Sequence, residues 1–223
     1  MKKLESTLTN MLVVLTGVTV ISVALLAYVN QLTTEPIRQA NAKILNNALK
    51  DVLPEYTNDP VAECDTVKSE DGAAAFIVYP AKNNGQLVGT AVQSSSMGFG
   101  GELKVLVGFD AEGKIYNYSL LAHAETPGLG SKAADWFKEG NKGSIAGMIP
   151  GEEGLVVSKD GGQVNAITAS TITSRAFLKA VNSAYKAYMG NAASGATEQK
   201  AEEATEEETA EQNVEQAEEI SNK

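Results

Sequence analysis

Between Glu5 and Glu35 the chain carries no charged residue, and within that gap Met11 to Val29 is an apolar run broken only by Thr16, Gly17, Thr19 and Ser22. As a helix rising roughly 1.5 Å per residue, this run spans about 28 Å, the thickness of a bilayer core. A cleaved signal peptide is the rival reading, since both begin with lysines. The run is too long for an ordinary signal core, and Tyr28-Val29-Asn30-Gln31-Leu32 offers no small-x-small cleavage site. The expectation is one uncleaved transmembrane helix over 10–30, preceded by a short N-terminus over 1–9. Lys2 and Lys3 favour a cytoplasmic N-terminus, so everything after Asn30 is expected to face the outside or the periplasm. Membrane lipid is therefore one partner.

Of the 223 residues, those beyond the anchor suffice for one ordinary domain and appendages. The net charge of −10 is unevenly spread: ten Glu and two Lys lie from Asn191 onward. Residues 191–223, rich in Ala, Glu, Thr, Gln and Ser, bury too little apolar surface to offset the entropy of ordering, so a disordered acidic tail is expected. What precedes it is nearly neutral and has no basic patch, which argues against nucleic acid as a partner. A single cysteine, Cys64, permits no internal disulfide, and neither a C-x-x-C-H haem run nor a cysteine set for an iron–sulfur cluster exists. Any redox chemistry must come from an organic cofactor.

Pro36 to Leu53 reads as a helix with proline in its first turn and Ile37, Ala40, Ile44, Ala48 and Leu49 along one stripe. Residues 31–72 thus form a membrane-proximal helix and linker. From Ala73 the period changes to short β-type runs at Phe76–Tyr79, Leu87–Val92, Leu103–Phe109 and Ile115–Leu121. Asn83-Asn84-Gly85, the Gly98–Gly101 stretch and Asp110–Gly113 punctuate them, the last being a hairpin signature. Ser131–Lys138 reads as a short helix capped by Ser131, and Leu155–Val157 and Val164–Ile167 as two further short strands. A closing amphipathic helix starts at Thr173 or Ser174, buries Phe177, Ala180, Val181, Ala184 and Tyr188 on one face, and ends at Gly190. The fold class is α+β, with the domain over 73–190.

Two segments stand out chemically. Asn165–Ser174 carries five hydroxyls and no charge directly before the closing helix. Unpaired N–H groups and the positive dipole end favour a phosphate there, whether hydrogen-bonded or esterified. The second, His123-Ala124-Glu125-Thr126-Pro127-Gly128-Leu129-Gly130, is a rigid loop between a strand and a helix entry. His123 on its own is most simply a polar residue at a strand end, with no second His or Cys nearby to share a metal. One histidine and scattered acids make no hydrolase constellation.

Taken in order, Gly98-Phe99-Gly100-Gly101, the His-x-Glu-Thr-Pro-Gly-Leu-Gly loop and the hydroxyl-rich run, all behind one anchor, resemble the covalent FMN-binding domain family. Within it they resemble the G subunits of Rnf ion-translocating electron transport complexes. The resemblance extends from the anchor to about Gly190. It implies FMN joined through its phosphate to a threonine, installed by a separate flavin transferase. The family's attachment run, Asp-x-x-Ser/Thr-Gly-Ala-Thr, maps onto Asn165 and Thr168-Ala169-Ser170-Thr171, making Thr171 the attachment residue; Asn165 replaces the aspartate and Ala169-Ser170 replaces Gly-Ala. Thr168, Ser170 and Ser174 are implied around the phosphate, and Glu125, Thr126, Gly128 and Leu129 beside the flavin. Trp136 is either core or close to the ring. Ser194-Gly195-Ala196-Thr197 matches the last four motif positions literally. It follows the helix and adjoins glutamates that repel a phosphate, so Thr197 stands as the alternative to Thr171.

The implied function is electron relay by a membrane-anchored flavoprotein subunit of an Rnf complex moving Na⁺ or H⁺, alongside the complex's other membrane subunits. No independent catalytic site is expected. The alternatives are the C subunit of a sodium-pumping NADH:quinone reductase and, from another class, a flavin-free anchored scaffold domain.

Overall fold

The computed structural model describes residues 7–68 and 75–191. The expected tail, apart from Asn191, and with it Thr197, lies outside the described residues. Two compact units divide the chain, Met1–Asn46 and Asn47–Lys223. The first holds most of helix α1, Leu8–Val52, whose N-terminal part is exposed, long enough and apolar enough to cross a membrane. A separate helix beginning at Pro36 is not what forms: Pro36 lies inside α1. An interior proline costs about 3 kcal/mol through a lost hydrogen bond and a ring clash. Glu35 pairs with Arg38 and Gln39 across it, each contact supplying only about 0.2–0.5 kcal/mol. Cooperative propagation from the long flanks therefore carries most of the continuity.

In the second unit five strands form one antiparallel meander in the order β1-β2-β3-β4-β5: β1 Asp65–Lys68, β2 Ala75–Asn83, β3 Gln86–Met97, β4 Glu102–Asp110 and β5 Ile115–Ala122. All three turn signals read in the sequence join successive strands. Register aligns Val78, Val92, Val107 and Tyr118 in a row across four strands, and all four are buried. Strand β1 has no alternating apolar pattern and is mostly exposed, which is why periodicity misses it.

Helix α3, residues 171–191, begins at Thr171, earlier than the sequence suggests, and continues through Gly190. Phe177, Ala180, Val181 and Ala184 lie in the same buried cluster as the Val78–Tyr118 row. Phe177 stacks on Phe137 at 4.3 Å between ring centroids, with Tyr118 edge-on to it. Truncating such a ring to alanine costs about 3–5 kcal/mol. Alternation along β4 turns Leu106 and Gly108 the other way. A Cβ on Gly108 would run into the backbone carbonyl of Val52, so glycine is what lets the last turn of α1 close on the sheet.

Three local expectations are corrected. Ser131 caps no helix: a 3-10 turn, Gly130–Lys132, leads into the short helix α2, Ala133–Trp136, without a side-chain cap. Its hydroxyl instead accepts a hydrogen bond from Gly128 N at 2.9 Å, because the Thr-Pro-Gly turn folds back onto it. Leu155–Val157 and Val164–Ile167 make no strands, only a parallel bridge from Val157 to Val164. A 3-10 turn, Ser158–Asp160, with left-handed Gly161 closing it, occupies the chain between them and leaves no room for a longer ladder.

Candidate functional site

Strand β5 ends at Ala122 and delivers Glu125 into the interior, 5% exposed. Its Oε1 accepts from Phe99 N at 2.8 Å and Gly100 N at 3.3 Å. Its Oε2 accepts from Thr173 Oγ1 at 2.8 Å. A buried carboxylate is tolerated only when donors of this kind surround it. Three segments distant in sequence therefore meet at one side chain: the β3–β4 hairpin, the loop after β5, and the first turn of α3. Gly98 and Gly130 make the meeting possible, since a Cβ on either would strike a carboxylate oxygen of Glu125.

The loop beyond Glu125 is a compact turn. Leu129 N and Ser131 N both donate to Thr126 O, and Gly128 takes φ +74. Thr126, Gly128 and Leu129 are exposed there, while Glu125 is the hidden brace. His123 is also exposed, and its Nδ1 accepts from Glu125 N.

The hydroxyl-rich run is braced from both ends. Asn165 takes the indole N–H of Trp136 on its carbonyl at 2.8 Å. Its own Nδ2 donates to Lys142 O at 2.8 Å, and its Oδ1 accepts from Ser158 Oγ. Trp136 is half-buried against the core, and its indole N–H also reaches the run. Residues 167–170 make a turn closed by Ser170 N on Ile167 O. Ala169 stands in it with φ +64, a left-handed conformation unusual for a residue with a side chain. Ser174 is fully buried, and its hydroxyl accepts from Ile167 N and donates to Ser170 O. It fastens the turn from within and faces no open surface. Ser170 is buried, Thr168 is exposed, and Thr171 is half-buried as the first residue of α3.

Sequence reasoning overlooked the charged neighbours of Thr171. Lys159 Nζ donates to Thr171 Oγ1 at 3.0 Å. One turn further along α3, Arg175 makes two 2.7 Å hydrogen bonds to Asp160, and this holds the Asp160 carboxyl below its usual 3.8. The signal available was the spacing of Thr171 and Arg175, four apart on one helix face. What was not legible is that the turn Ser158–Asp160 lies along that face. Phe99, Leu129 and Ile172 are 69, 42 and 54% exposed. They sit on the three segments that Glu125 joins, giving the site apolar surface beside its hydroxyls and cation.

The FMN-binding domain family model matches residues 98–186, from the β3–β4 hairpin to α3. The G subunit of the ion-translocating oxidoreductase complex of Stutzerimonas stutzeri is 40% identical over 159 residues, covering 68% of this chain and 68% of the relative. Its counterpart in Shewanella baltica (strain OS223) is 32% identical over 183 residues, covering 78% and 85%. Among solved structures, the C subunit of the Na⁺-translocating NADH-quinone reductase of Parabacteroides distasonis aligns over 63% of this chain and 78% of its own, at 20% identity and a TM-score of 0.37.

Proposed function

The chain belongs to the family of ion-translocating oxidoreductase complex G subunits, and we propose that it is the electron-relaying flavoprotein of such an Rnf complex, with FMN esterified to Thr171. The observation that carries this reading is the convergence at Glu125. One carboxylate holds the β3–β4 hairpin, the Thr126–Leu129 turn and the start of α3 together, with Thr171 two residues from the joint. The donor set suits the group. The ammonium of Lys159 and the first-turn N–H groups of α3 complement a phosphate. The exposed side chains of Phe99, Leu129 and Ile172 complement an apolar ring.

FMN supplies one- and two-electron chemistry when bound; the protein supplies orientation and environment. Thr171 provides the hydroxyl for the ester, Thr168 and Ser170 flank it, and Ser174 keeps the turn in shape. Thr126, Gly128 and Leu129 line the ring's side, and Glu125 fixes them relative to α3. We place the domain, residues 73–190, on the outer side of the bacterial inner membrane, tethered by α1. A covalent bond there retains a cofactor that a noncovalent site would lose by mass action. The other membrane subunits of the complex are its redox partners, and a flavin transferase is its maturation partner.

Peptide mass spectrometry of protein co-produced with a flavin transferase tests the assignment. The expected result is an FMN mass increment on the peptide containing Thr171, lost in T171A. The increment on the Thr197 peptide alone overturns the site. A denatured gel band without flavin fluorescence overturns the covalent linkage, and a native protein that also lacks flavin absorption overturns the carrier function and leaves the scaffold reading.

A further inference from the structure

Lys159 is placed against Thr171 by contacts that do not need its own side chain. The turn Ser158–Asp160 is held by Ser158 N on Val164 O at 2.7 Å and Gly162 N on Val157 O at 3.1 Å. It is clamped to α3 by the paired bonds between Asp160 and Arg175. None of these bonds uses the Lys159 side chain, yet its ammonium lies 3.0 Å from the Thr171 hydroxyl. None of the six ion pairs found among the described residues includes Lys159. Its neighbour Asp160 is hydrogen-bonded to Arg175 and feels the Lys159 charge only as the last and smallest influence, so the nearest guanidinium is matched and the nearest ammonium is aimed at a neutral oxygen. A hydrogen bond to a neutral hydroxyl on an exposed surface uses little of a full positive charge.

We propose that Lys159 is the counter-cation of a phosphodiester on Thr171, which makes it a binding residue for the flavin nucleotide's phosphate; this rests on the reading of Thr171 as the attachment residue. Esterification bonds Thr171 Oγ1 to the phosphorus of a flavin dinucleotide donor: the hydroxyl proton is released, the donor's phosphoanhydride bond breaks, and a nucleoside monophosphate leaves. The resulting diester has one negative charge shared by the two non-bridging oxygens, one bond beyond the atom Lys159 now contacts. The four-carbon stem of lysine follows that displacement easily. Arg175, held by two bonds to Asp160, stays with its carboxylate, so the assignment is to Lys159 alone.

The experiment uses the full-length protein in detergent, purified flavin transferase and its flavin donor, with wild type, K159Q and K159R compared. Loading is read as the initial rate of FMN mass gain on the Thr171 peptide, and the phosphorus environment by ³¹P NMR of the loaded, folded protein. We expect K159Q to load about tenfold more slowly and K159R to stay near the wild-type rate, as a charge-assisted contact requires. The ³¹P resonance of folded K159Q should differ from wild type, and the two should coincide after unfolding. A K159Q protein that does not load while K159R does also supports the assignment. Before loading, K159Q should melt with wild type, because the side chain is exposed. K159Q loading at the wild-type rate with an unchanged folded ³¹P resonance overturns the role of Lys159 and leaves Thr171 standing. Wild-type protein without FMN on the Thr171 peptide overturns both, and is read before any variant is made.

Discussion

Ala169 holds a left-handed backbone at the site, and relieving it is a direct test of how the turn before α3 is built. Its φ of +64 lies in the left-handed region, where a Cβ crowds its own carbonyl. That conformation costs a non-glycine residue about 1–2 kcal/mol. Glycine adopts it freely but loses about 0.4–1 kcal/mol more conformational entropy on folding than alanine. The difference predicts that A169G stabilises the domain by about 0.5–1 kcal/mol, or about 2–4 °C in melting temperature for a unit of this size. Ala169 is exposed, so no packing is lost to complicate the balance. The assay is thermal unfolding of full-length protein in detergent followed by near-ultraviolet circular dichroism, with A169V as the opposite perturbation. A169V should melt below wild type, because a β-branched residue suits positive φ least. An A169G protein that melts at or below the wild-type temperature refutes the reasoning. On the proposed attachment at Thr171, the stabilised variant should accept flavin at least as fast as wild type.

E125A leaves Phe99 N, Gly100 N and the Thr173 hydroxyl without their acceptor, and should cost about 1–3 kcal/mol, read as a lower melting temperature and faster amide exchange in the β3–β4 hairpin. N165D restores the family's aspartate but points a carboxylate at Lys142 O, which Asn165 now donates to; a loss of about 1–2 kcal/mol at neutral pH is expected, measured by urea unfolding. The Asp160 carboxyl titrates below its ordinary value in the folded protein, first because of its hydrogen bonds to Arg175. The stabilisation of the Ser158–Asp160 turn is therefore fully present above the ordinary carboxylate value of 3.8 and disappears as pH falls through the lower folded value. Amide exchange of that turn should be flat from pH 7 to about 5 once corrected for intrinsic rates and should rise below about pH 4; a rise already near pH 6 contradicts it.

The strands were legible because each pairs an apolar run with a turn of definite chemistry. Asp110–Gly113 closes its hairpin as composition suggests, with Asp110 Oδ1 taking the amides of Glu112 and Lys114. Asp65–Lys68 escaped notice because an edge strand, paired on one side and open on the other, needs no apolar alternation. Pro36 misled because proline suits the first turn of a helix, whereas the long helix α1 continues through it. At the candidate site, the hydroxyl run and the helix that follows it were legible as neighbours. Glu125 was legible as a member of a loop but not as a joint, since its partners lie 26 and 48 residues away. Lys159 left no periodic trace at all, because only the fold of the 155–164 segment brings it to α3.

Those separations also order events in time. Each hairpin of the meander closes a short loop and is fast to form, whereas the bonds of Glu125 to Phe99 and Thr173 wait for closures that are entropically dearer and span three segments. A chain made from its N-terminus has the sheet complete when Ala122 has emerged, but lacks the third arm of the joint until α3 has been synthesised and has docked. The turn before α3 thus takes its shape at the close of folding. On the proposed esterification of Thr171, the transferase meets a finished domain, and a domain that stalls short of that shape stays without flavin.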